Sequence, residues 1–208
     1  ENINIKGRYI FICLEEHIKK YNVKEMLNMI KPGCEVITLN QVTKGAADTV
    51  LKAKKFITGS HFLLLFPDDL ILKKNCSKDM IKISKKLRCS VMASLKVQKK
   101  NISRWGIYSI KKKISNRNFI INDVIEKPKL KNAPSNNAII GRYILPRQIF
   151  PILQKQKKGI GGEIHITDSI KKLIKNDFKF VGHNFAGKYL DCGTMKGYIK
   201  SSLEVSKL

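Results

Sequence analysis

Strand-like and helix-like segments alternate along the first half of the chain, and this alternation most restricts the folds open to it. The strand-like runs are 8–14, 34–39, 61–66 and 89–95. The segments between them, with the apolar spacing of helices, are 15–30, 45–57 and 77–87. The run 61–66 is apolar, as expected for a strand covered on both faces. This pattern predicts an α/β fold with a mainly parallel sheet flanked by helices.

The second half has a different pattern, with two neighbouring strands before the helices return. The predicted strands are 105–114, 118–128, 137–145 and 179–185, and the predicted helices are 146–156, one from about Thr167, and 195–208. Ser77 is the expected N-cap of the helix 77–87, and Pro146 the expected start of 146–156. We find no repeat and no linker, so residues 1–208 are expected to form one domain.

The chain is strongly basic, with 41 Lys and Arg against 16 Asp and Glu and a formal charge of +25. Clustered basic residues bind nucleic acid, but here the lysines are spread along the whole sequence. The spread favours solvated basic faces, or a positive field that attracts small phosphorylated substrates. A nucleic-acid partner is therefore not expected.

Hydropathy and cysteine usage bear on location. No apolar run reaches the roughly 18 residues needed to span a bilayer, and the N-terminus lacks the pattern of a signal peptide. The five cysteines are odd in number and none is in a C-x-x-C pair, which disfavours a disulfide framework or a zinc site. We expect a cytoplasmic protein with reduced thiols and no membrane partner.

Acidic residues are scarce, yet Asp68 and Asp69 follow the apolar run in "LLLFPDDLIL". In open α/β sheets ligands bind outside the carboxyl ends of strands. Asp68 is therefore a candidate Mg²⁺ ligand, and the alternative is an aspartate that caps a turn. Asp191, in "YLDCGT", is a second candidate that could hold the same ion, and Gly193 beside it permits close backbone approach.

Two further segments carry polar residues suited to a sugar phosphate. In "VIEKPK", Glu126 can accept hydrogen bonds from hydroxyls and Lys127 can pair with a phosphate, although a surface ion pair is the simpler interpretation. In "GGEIHITD", Thr167 or Asp168 is expected to cap a helix, and His165 to be a packed or surface residue rather than a metal ligand.

Taken in order, several motifs resemble one family. They are "LLLFPDDLI", "SRWGIYSI", "VIEKPK", "APSNNAIIGRYIL", "GIGGEIHITDSI" and "KYLDCGTMKGYIKSSLEVS". Together they are similar to bacterial UTP–glucose-1-phosphate uridylyltransferases, within the sugar-nucleotide pyrophosphorylase superfamily. The resemblance is close from about His61 to Leu208. It is looser before that, where "NQVTKGAADTVLKA" resembles sugar-phosphate nucleotidyltransferases in general.

The resemblance implies a Rossmann-like nucleotide-diphospho-sugar transferase fold, with a mixed, mainly parallel sheet that lacks its first strand, and a set of residue roles. Asp68 and Asp191 would bind Mg²⁺. Gln41 and Gly45 would contact the uracil, Gly106 and Glu126 the sugar, and Lys127 the sugar phosphate. UTP and glucose 1-phosphate would react to give UDP-glucose and pyrophosphate, with Asp68 and Lys127 as the catalytic residues. A homo-oligomer is expected from the family alone.

One family feature has no counterpart in the printed sequence. The family opens with a strand and a glycine-rich loop, G-x-G-T-R-x-x-P-x-[ST]-K, that holds the triphosphate. From the resemblance we expect this chain to correspond to the C-terminal two-thirds of the family domain, without a central strand and with apolar surface exposed. The alternatives are a non-catalytic domain that binds a sugar nucleotide or a partner chain, and a transferase for another sugar 1-phosphate.

Overall fold

The computed structural model describes residues 7–208. Its strands are β1 (Ile10–Leu14), β2 (Glu35–Leu39), β3 (His61–Leu65), β4 (Asp69–Leu72), β5 (Ser90–Lys96), β6 (Ile107–Lys113), β7 (Asn118–Ile125), β8 (Asn137–Pro146), β9 (Phe180–Asn184) and β10 (Lys188–Asp191). Its α-helices are α1 (Glu15–Tyr21), α2 (Val23–Ile30), α3 (Ala46–Lys52), α4 (Cys76–Leu87), α5 (Ile149–Gln154), α6 (Ile166–Lys175) and α7 (Met195–Val205). The predicted α/β class is confirmed.

The largest sheet has six strands in the order β3-β8-β5-β9-β7-β6, and we call it the central sheet. Strands β3, β5, β9 and β6 run in one direction, while β8 and β7 run in the other. Because β8 lies between β3 and β5, only β5 and β9 form a parallel pair in this sheet. The mixed sheet is confirmed, but antiparallel pairs outnumber the parallel one, since sequence alternation does not show that a later strand inserts between two earlier ones.

Two smaller pairs of strands lie outside the central sheet. Strands β1 and β2 are parallel, and β4 and β10 are antiparallel. Among the described residues no strand pairing joins β1 or β2 to β3, which forms one edge of the central sheet. The expectation that a central strand is missing stays a prediction.

Both faces of the central sheet are covered, as the apolar strands predicted. Strand β8 is buried at all ten positions. On one face Tyr143 and Leu145 pack against apolar residues of α5 and α6. On the other face Ile140 and Ile144 pack with Met80 of α4. Alternate side chains of one strand therefore enter two separate cores, which fixes the register of β8.

An apolar cavity of about 590 Å³ lies beside the free edge of β3 and is lined partly by α4. Phe62, Leu63, Ile81 and Ile144 are among its lining residues, together with the basic Lys85 and Arg88. The expectation that a missing strand exposes apolar surface stays a prediction. No helix in the described part of the chain is long and apolar enough to cross a bilayer.

The helix 15–30 predicted from the sequence is two helices. Asn22 adopts a left-handed backbone with φ of 49° between α1 and α2 and ends the first. The helical spacing continues across this break, so the pattern did not reveal it.

The N-terminal ends of three other helices differ from the prediction in their caps or in their first residue. Asn75, not Ser77, caps α4, and its side chain accepts from the Lys78 N–H at 2.9 Å. Pro146 ends β8, and α5 begins only at Ile149. Helix α6 begins at Ile166, close to the predicted start, but His165 is at its N-cap without a side-chain cap bond, and the Thr167 hydroxyl donates to Glu126 instead.

Candidate active site

The adjacent aspartates have different surroundings. Asp69 begins β4 and is 8% exposed. Its Oδ2 accepts the Gly141 N–H of β8 at 2.7 Å, and its Oδ1 accepts the hydroxyl of Tyr189 in β10. Burial raises the pKa of Asp69 despite these two bonds. Asp69 therefore ties β4, β8 and β10 together, while Asp68 remains exposed in the turn before β4.

Asp68 and Asp191 meet beside Gly193. Asp191 is paired with Asp69 in the β4–β10 ladder, which places it next to the turn that carries Asp68. The Cys192 N–H donates to the Asp68 carbonyl at 2.8 Å. A methyl group added at Gly193 would lie 3.0 Å from Asp68 Oδ2 and 3.3 Å from Asp191 Oδ1. Both carboxylates thus border the same point, as expected for two ligands of one cation.

The chemistry of this pair fits magnesium. Mg²⁺ binds one or two protein carboxylates and completes an octahedral shell with water and substrate phosphates. The described residues contain no group of three or more His, Cys, Asp or Glu side chains that could hold a metal. A cation here would therefore depend on oxygen atoms from water and from a bound phosphate.

Arg104 is the nearest cation to this pair and was not predicted. It ends the 3-10 helix Lys99–Arg104, and its Nη2 lies 3.0 Å from Asp191 Oδ2. Its guanidinium also lies 5.6 Å from the centre of the Trp105 ring. The sequence signal available for Arg104 was its place in "SRWGIY", one residue before Trp105 and two before Gly106.

Glu126, Gly106 and Thr167 form a second group. The Thr167 hydroxyl donates to Glu126 Oε2 at 2.8 Å, and His165 Nδ1 lies 3.8 Å from Glu126 Oε1. A methyl group at Gly106 would be 3.1 Å from Glu126 Oε2 and 3.2 Å from Thr167 Cγ2. The glycine therefore leaves room in front of the carboxylate. Thr167 holds that carboxylate in place, a role that sequence reasoning had assigned to helix capping.

Lys127 follows Glu126 in a left-handed backbone with φ of 43°. Its N–H donates to the Trp105 carbonyl at 3.1 Å, and its side chain is exposed. The main chain of Lys127 is thus fixed to the segment that carries Arg104 and Gly106. The exposed side chain can reach a phosphate in solution, and its phosphate contact stays a prediction.

The segment that carries Gln41 and Gly45 is attached to the loop before α6. Gly45 has φ of 113°, and a methyl group there would lie 2.9 Å from the Ile164 carbonyl oxygen. The Ile164 N–H donates to the Lys44 carbonyl at 2.7 Å, and the Ala47 N–H donates to the Ile164 carbonyl at 3.2 Å. Gln41 is exposed at the start of the segment. Its predicted contact with a base stays a prediction.

These contacts connect the predicted residues into one path. Arg104 touches Asp191, and two residues later Gly106 faces Glu126. Glu126 bonds Thr167, which lies three residues beyond the Ile164 that holds Gly45. The arrangement places a carboxylate pair, a carboxylate with a glycine opening, and a glycine-containing loop in succession. Groups in this order can bind an elongated ligand that carries a phosphate near one end and hydroxyl groups near the other.

Comparison with known proteins identifies the family. The profile of the nucleotidyl transferase family matches residues 3–207. UTP–glucose-1-phosphate uridylyltransferase of Pseudomonas aeruginosa is 36% identical over 162 residues, which are 76% of this chain and 57% of that protein. UTP–glucose-1-phosphate uridylyltransferase 2 of Staphylococcus saprophyticus is 32% identical over 92% of this chain and 67% of its own length.

A crystal structure of UDP-glucose pyrophosphorylase complexed with UDP-glucose superposes with a TM-score of 0.81 at 29% identity, over 96% of this chain and 81% of that one. The chain spans less than two-thirds of the length of the Pseudomonas relative. The match over nearly every residue nonetheless shows that the chain belongs to the nucleotidyl transferase family.

Proposed function

We propose that this chain carries the sugar-nucleotide site of an enzyme that transfers a uridylyl group from UTP to glucose 1-phosphate. The observation that carries the proposal is that Asp68 and Asp191 border the same point beside Gly193, while Arg104, which bonds Asp191, lies two residues before the Gly106 that faces Glu126. Two relatives are named as uridylyltransferases of this reaction, and a structural neighbour binds UDP-glucose. These names support the same substrates for this chain.

The sugar would lie against Gly106 and Glu126. Glu126 is held by Thr167, so its carboxylate is oriented before the sugar arrives and can accept hydroxyl hydrogen bonds. Gly106 has no side chain to block that carboxylate. Lys127 follows directly and would pair with the sugar phosphate, and Gln41 and Gly45 would contact the base.

Asp68 and Asp191 would hold Mg²⁺. When bound there, the ion would neutralise phosphate charge and orient the reacting phosphates. Asp69 would contribute indirectly, because its bonds to Gly141 and Tyr189 fix the turn that presents Asp68.

The reaction needs no covalent protein intermediate. A phosphate oxygen of glucose 1-phosphate attacks the α-phosphorus of UTP, and the bond from that phosphorus to the bridging oxygen of the β-phosphate breaks. Pyrophosphate leaves with the electron pair of the broken bond. The protein supplies positioning and positive charge from Lys127. A cytoplasmic location and a homo-oligomer stay predictions.

The first experiment measures pyrophosphate release from UTP and glucose 1-phosphate with Mg²⁺. In parallel, calorimetry measures Mg²⁺-dependent binding of UDP-glucose. Release above the control without protein supports transfer by this chain. Binding without release supports the non-catalytic alternative for the 208 residues, and the absence of both contradicts the proposal.

The Asp191→Asn variant tests the carboxylate pair. We expect loss of Mg²⁺-dependent UDP-glucose binding, because one of the two proposed ligands loses its charge, with thermal stability little changed. Asp177→Asn is the matched control, since Asp177 is exposed with φ of 62°, a conformation that Asn tolerates. Equal Mg²⁺-dependent affinity in Asp191→Asn and the wild type would contradict the metal assignment.

A further inference from the structure

Arg104 forms an ion pair with one carboxylate oxygen of Asp191, which is a proposed cation ligand. Its Nη2 contacts Asp191 Oδ2 at 3.0 Å, while Asp191 Oδ1 accepts the Gly193 N–H at 3.0 Å on the side near Asp68. The two oxygens of one carboxylate therefore serve different partners. The arginine balances part of the negative charge where two aspartates lie close together.

The contact is also easily broken. The Arg104 side chain is 55% exposed and the Asp191 side chain 30% exposed. Exposed ion pairs are weak because water competes for both partners. A divalent cation that binds Asp191 would therefore meet only a small barrier to displacing the guanidinium.

Arg104 is well placed to bind phosphate once it leaves Asp191. The Trp105 carbonyl that follows it accepts the Lys127 N–H at 3.1 Å, so the segments that carry the two basic side chains are joined. A guanidinium presents several N–H donors in a fork that matches two phosphate oxygens, and one N–H makes the bond to Asp191. Arg104 is thus bonded to the carboxylate pair through Asp191, and its segment is bonded to the one that carries Lys127.

We propose that Arg104 is a positioning residue that pairs with Asp191 in the cation-free protein and with the diphosphate of the bound sugar nucleotide when a divalent cation takes its place. The inference rests on the proposed function, since it takes Asp68 and Asp191 as the cation ligands. It assigns to Arg104 two opposite effects: the residue weakens cation binding by the free protein and strengthens binding of the anionic ligand.

The test uses Mn²⁺ as the probe, with binding followed by the electron paramagnetic resonance of the free ion. Without nucleotide, Arg104→Gln is expected to bind Mn²⁺ about 2- to 5-fold more tightly than the wild type, the scale of an exposed ion pair. With saturating Mn²⁺, calorimetry is expected to show that Arg104→Gln binds UDP-glucose about 10-fold more weakly than the wild type, the scale of a lost charged hydrogen bond.

Two further variants separate pairing from net charge. Arg104→Lys keeps the charge and is expected to bind Mn²⁺ like the wild type, with an intermediate affinity for UDP-glucose. Arg117→Gln removes the same charge from an exposed residue in the turn between β6 and β7, and is expected to change neither affinity.

The opposite shifts in Arg104→Gln support the inference, and shifts in the same direction overturn it. If the wild type binds UDP-glucose and Arg104→Gln changes neither affinity, the inference fails and the proposed function stands. If the wild type binds no UDP-glucose, the proposed function and the phosphate half of the inference both fail. The Mn²⁺ titration then still decides whether Arg104 competes with a cation.

Discussion

The N-terminal segment, residues 7–39, and the central sheet are built from similar apolar strands but bury them to very different degrees. No residue of the N-terminal segment is buried, whereas every residue of β8 is. Strand β8 has a neighbour on each edge and a layer on each face, while β1 is paired only with β2 among the described residues. Strand composition alone therefore does not determine burial.

The difference has a physical cause. A two-stranded sheet cannot exclude water from its faces without further strands or helices to cover it. Helices α1 and α2 do not provide that cover, since neither has a buried residue and Met29 and Ile30 are 78% and 76% exposed. We conclude that the central sheet supplies most of the stability of the described chain.

The residues of the proposed site are divided between the packed central region and the less buried N-terminal region. Gly106, Glu126 and Thr167 belong to the packed region, and Asp68 and Asp191 are fixed to it through Asp69. The segment from Gln41 to Gly45 comes directly after the N-terminal segment and is held by backbone bonds to Ile164. The sugar and metal side should therefore be rigid, and the base side should depend on one loop contact.

The largest expected effect is the loss of a buried side chain from the central sheet. Leu145 is 0% exposed, so Leu145→Ala should lower the free energy of unfolding by about 2–5 kcal/mol. Ile30→Ala is the matched control in the N-terminal segment and should change it by about 0.5 kcal/mol or less. Urea denaturation measures both. Similar losses in the two variants would show that the N-terminal segment is packed after all.

A comparison of two glycines tests the contact between the Gly45 loop and Ile164. Gly33 and Gly45 both have positive φ, but a methyl group at Gly33 meets nothing within 4 Å, whereas at Gly45 it meets the Ile164 carbonyl at 2.9 Å. Gly33→Ala should cost about 1 kcal/mol from backbone strain alone. Gly45→Ala should cost about 2–3 kcal/mol and also weaken UDP-glucose binding.

Urea denaturation and calorimetry on the same two glycine variants test whether the contact between Gly45 and Ile164 matters for the site. If the two variants lost equal stability and kept equal affinity, the attachment of the 41–45 segment to Ile164 would not matter for the site.

The smallest effect concerns pH. His183 of β9 is 4% exposed, and its Nδ1 lies 2.8 Å from Asn118 Oδ1. Burial lowers the pKa of His183 below its ordinary value of 6.5, with a smaller opposing effect from Asp79 and a further lowering by Arg117. The unfolded chain therefore binds more protons than the folded chain just below pH 6.5, and stability is lost as pH falls through that range.

Denaturation at pH 7.5 and at pH 5.5 measures this loss. His183→Gln should show a smaller loss than the wild type over that range. His17→Gln changes an exposed histidine of α1 and should keep the loss of the wild type. An unchanged loss in His183→Gln would contradict the assignment to the buried histidine.

Much of the fold and of the site was predictable from local sequence. The apolar runs predicted eight of the ten strands close to their observed positions, but β4 and β10, which have four residues each, were missed. The family motifs named Asp68, Asp191, Gly106 and Glu126; the structure places the first two beside Gly193 and the last two against each other, and their roles stay predictions. Thr167 and Arg104 were missed in their observed roles, because their partners lie far away in the chain.

The sequence by itself determined the α/β class, the family and the residues whose chemistry suits a sugar nucleotide, because these follow from periodicity and from short motifs. Only the tertiary structure decided that Asp69 is buried and bonded to Gly141 and Tyr189 while Asp68 is exposed, and that Arg104 pairs with Asp191. It also decided that β8 lies between β3 and β5. Such outcomes depend on which distant segments pair in space, and local spacing carries no information about that pairing.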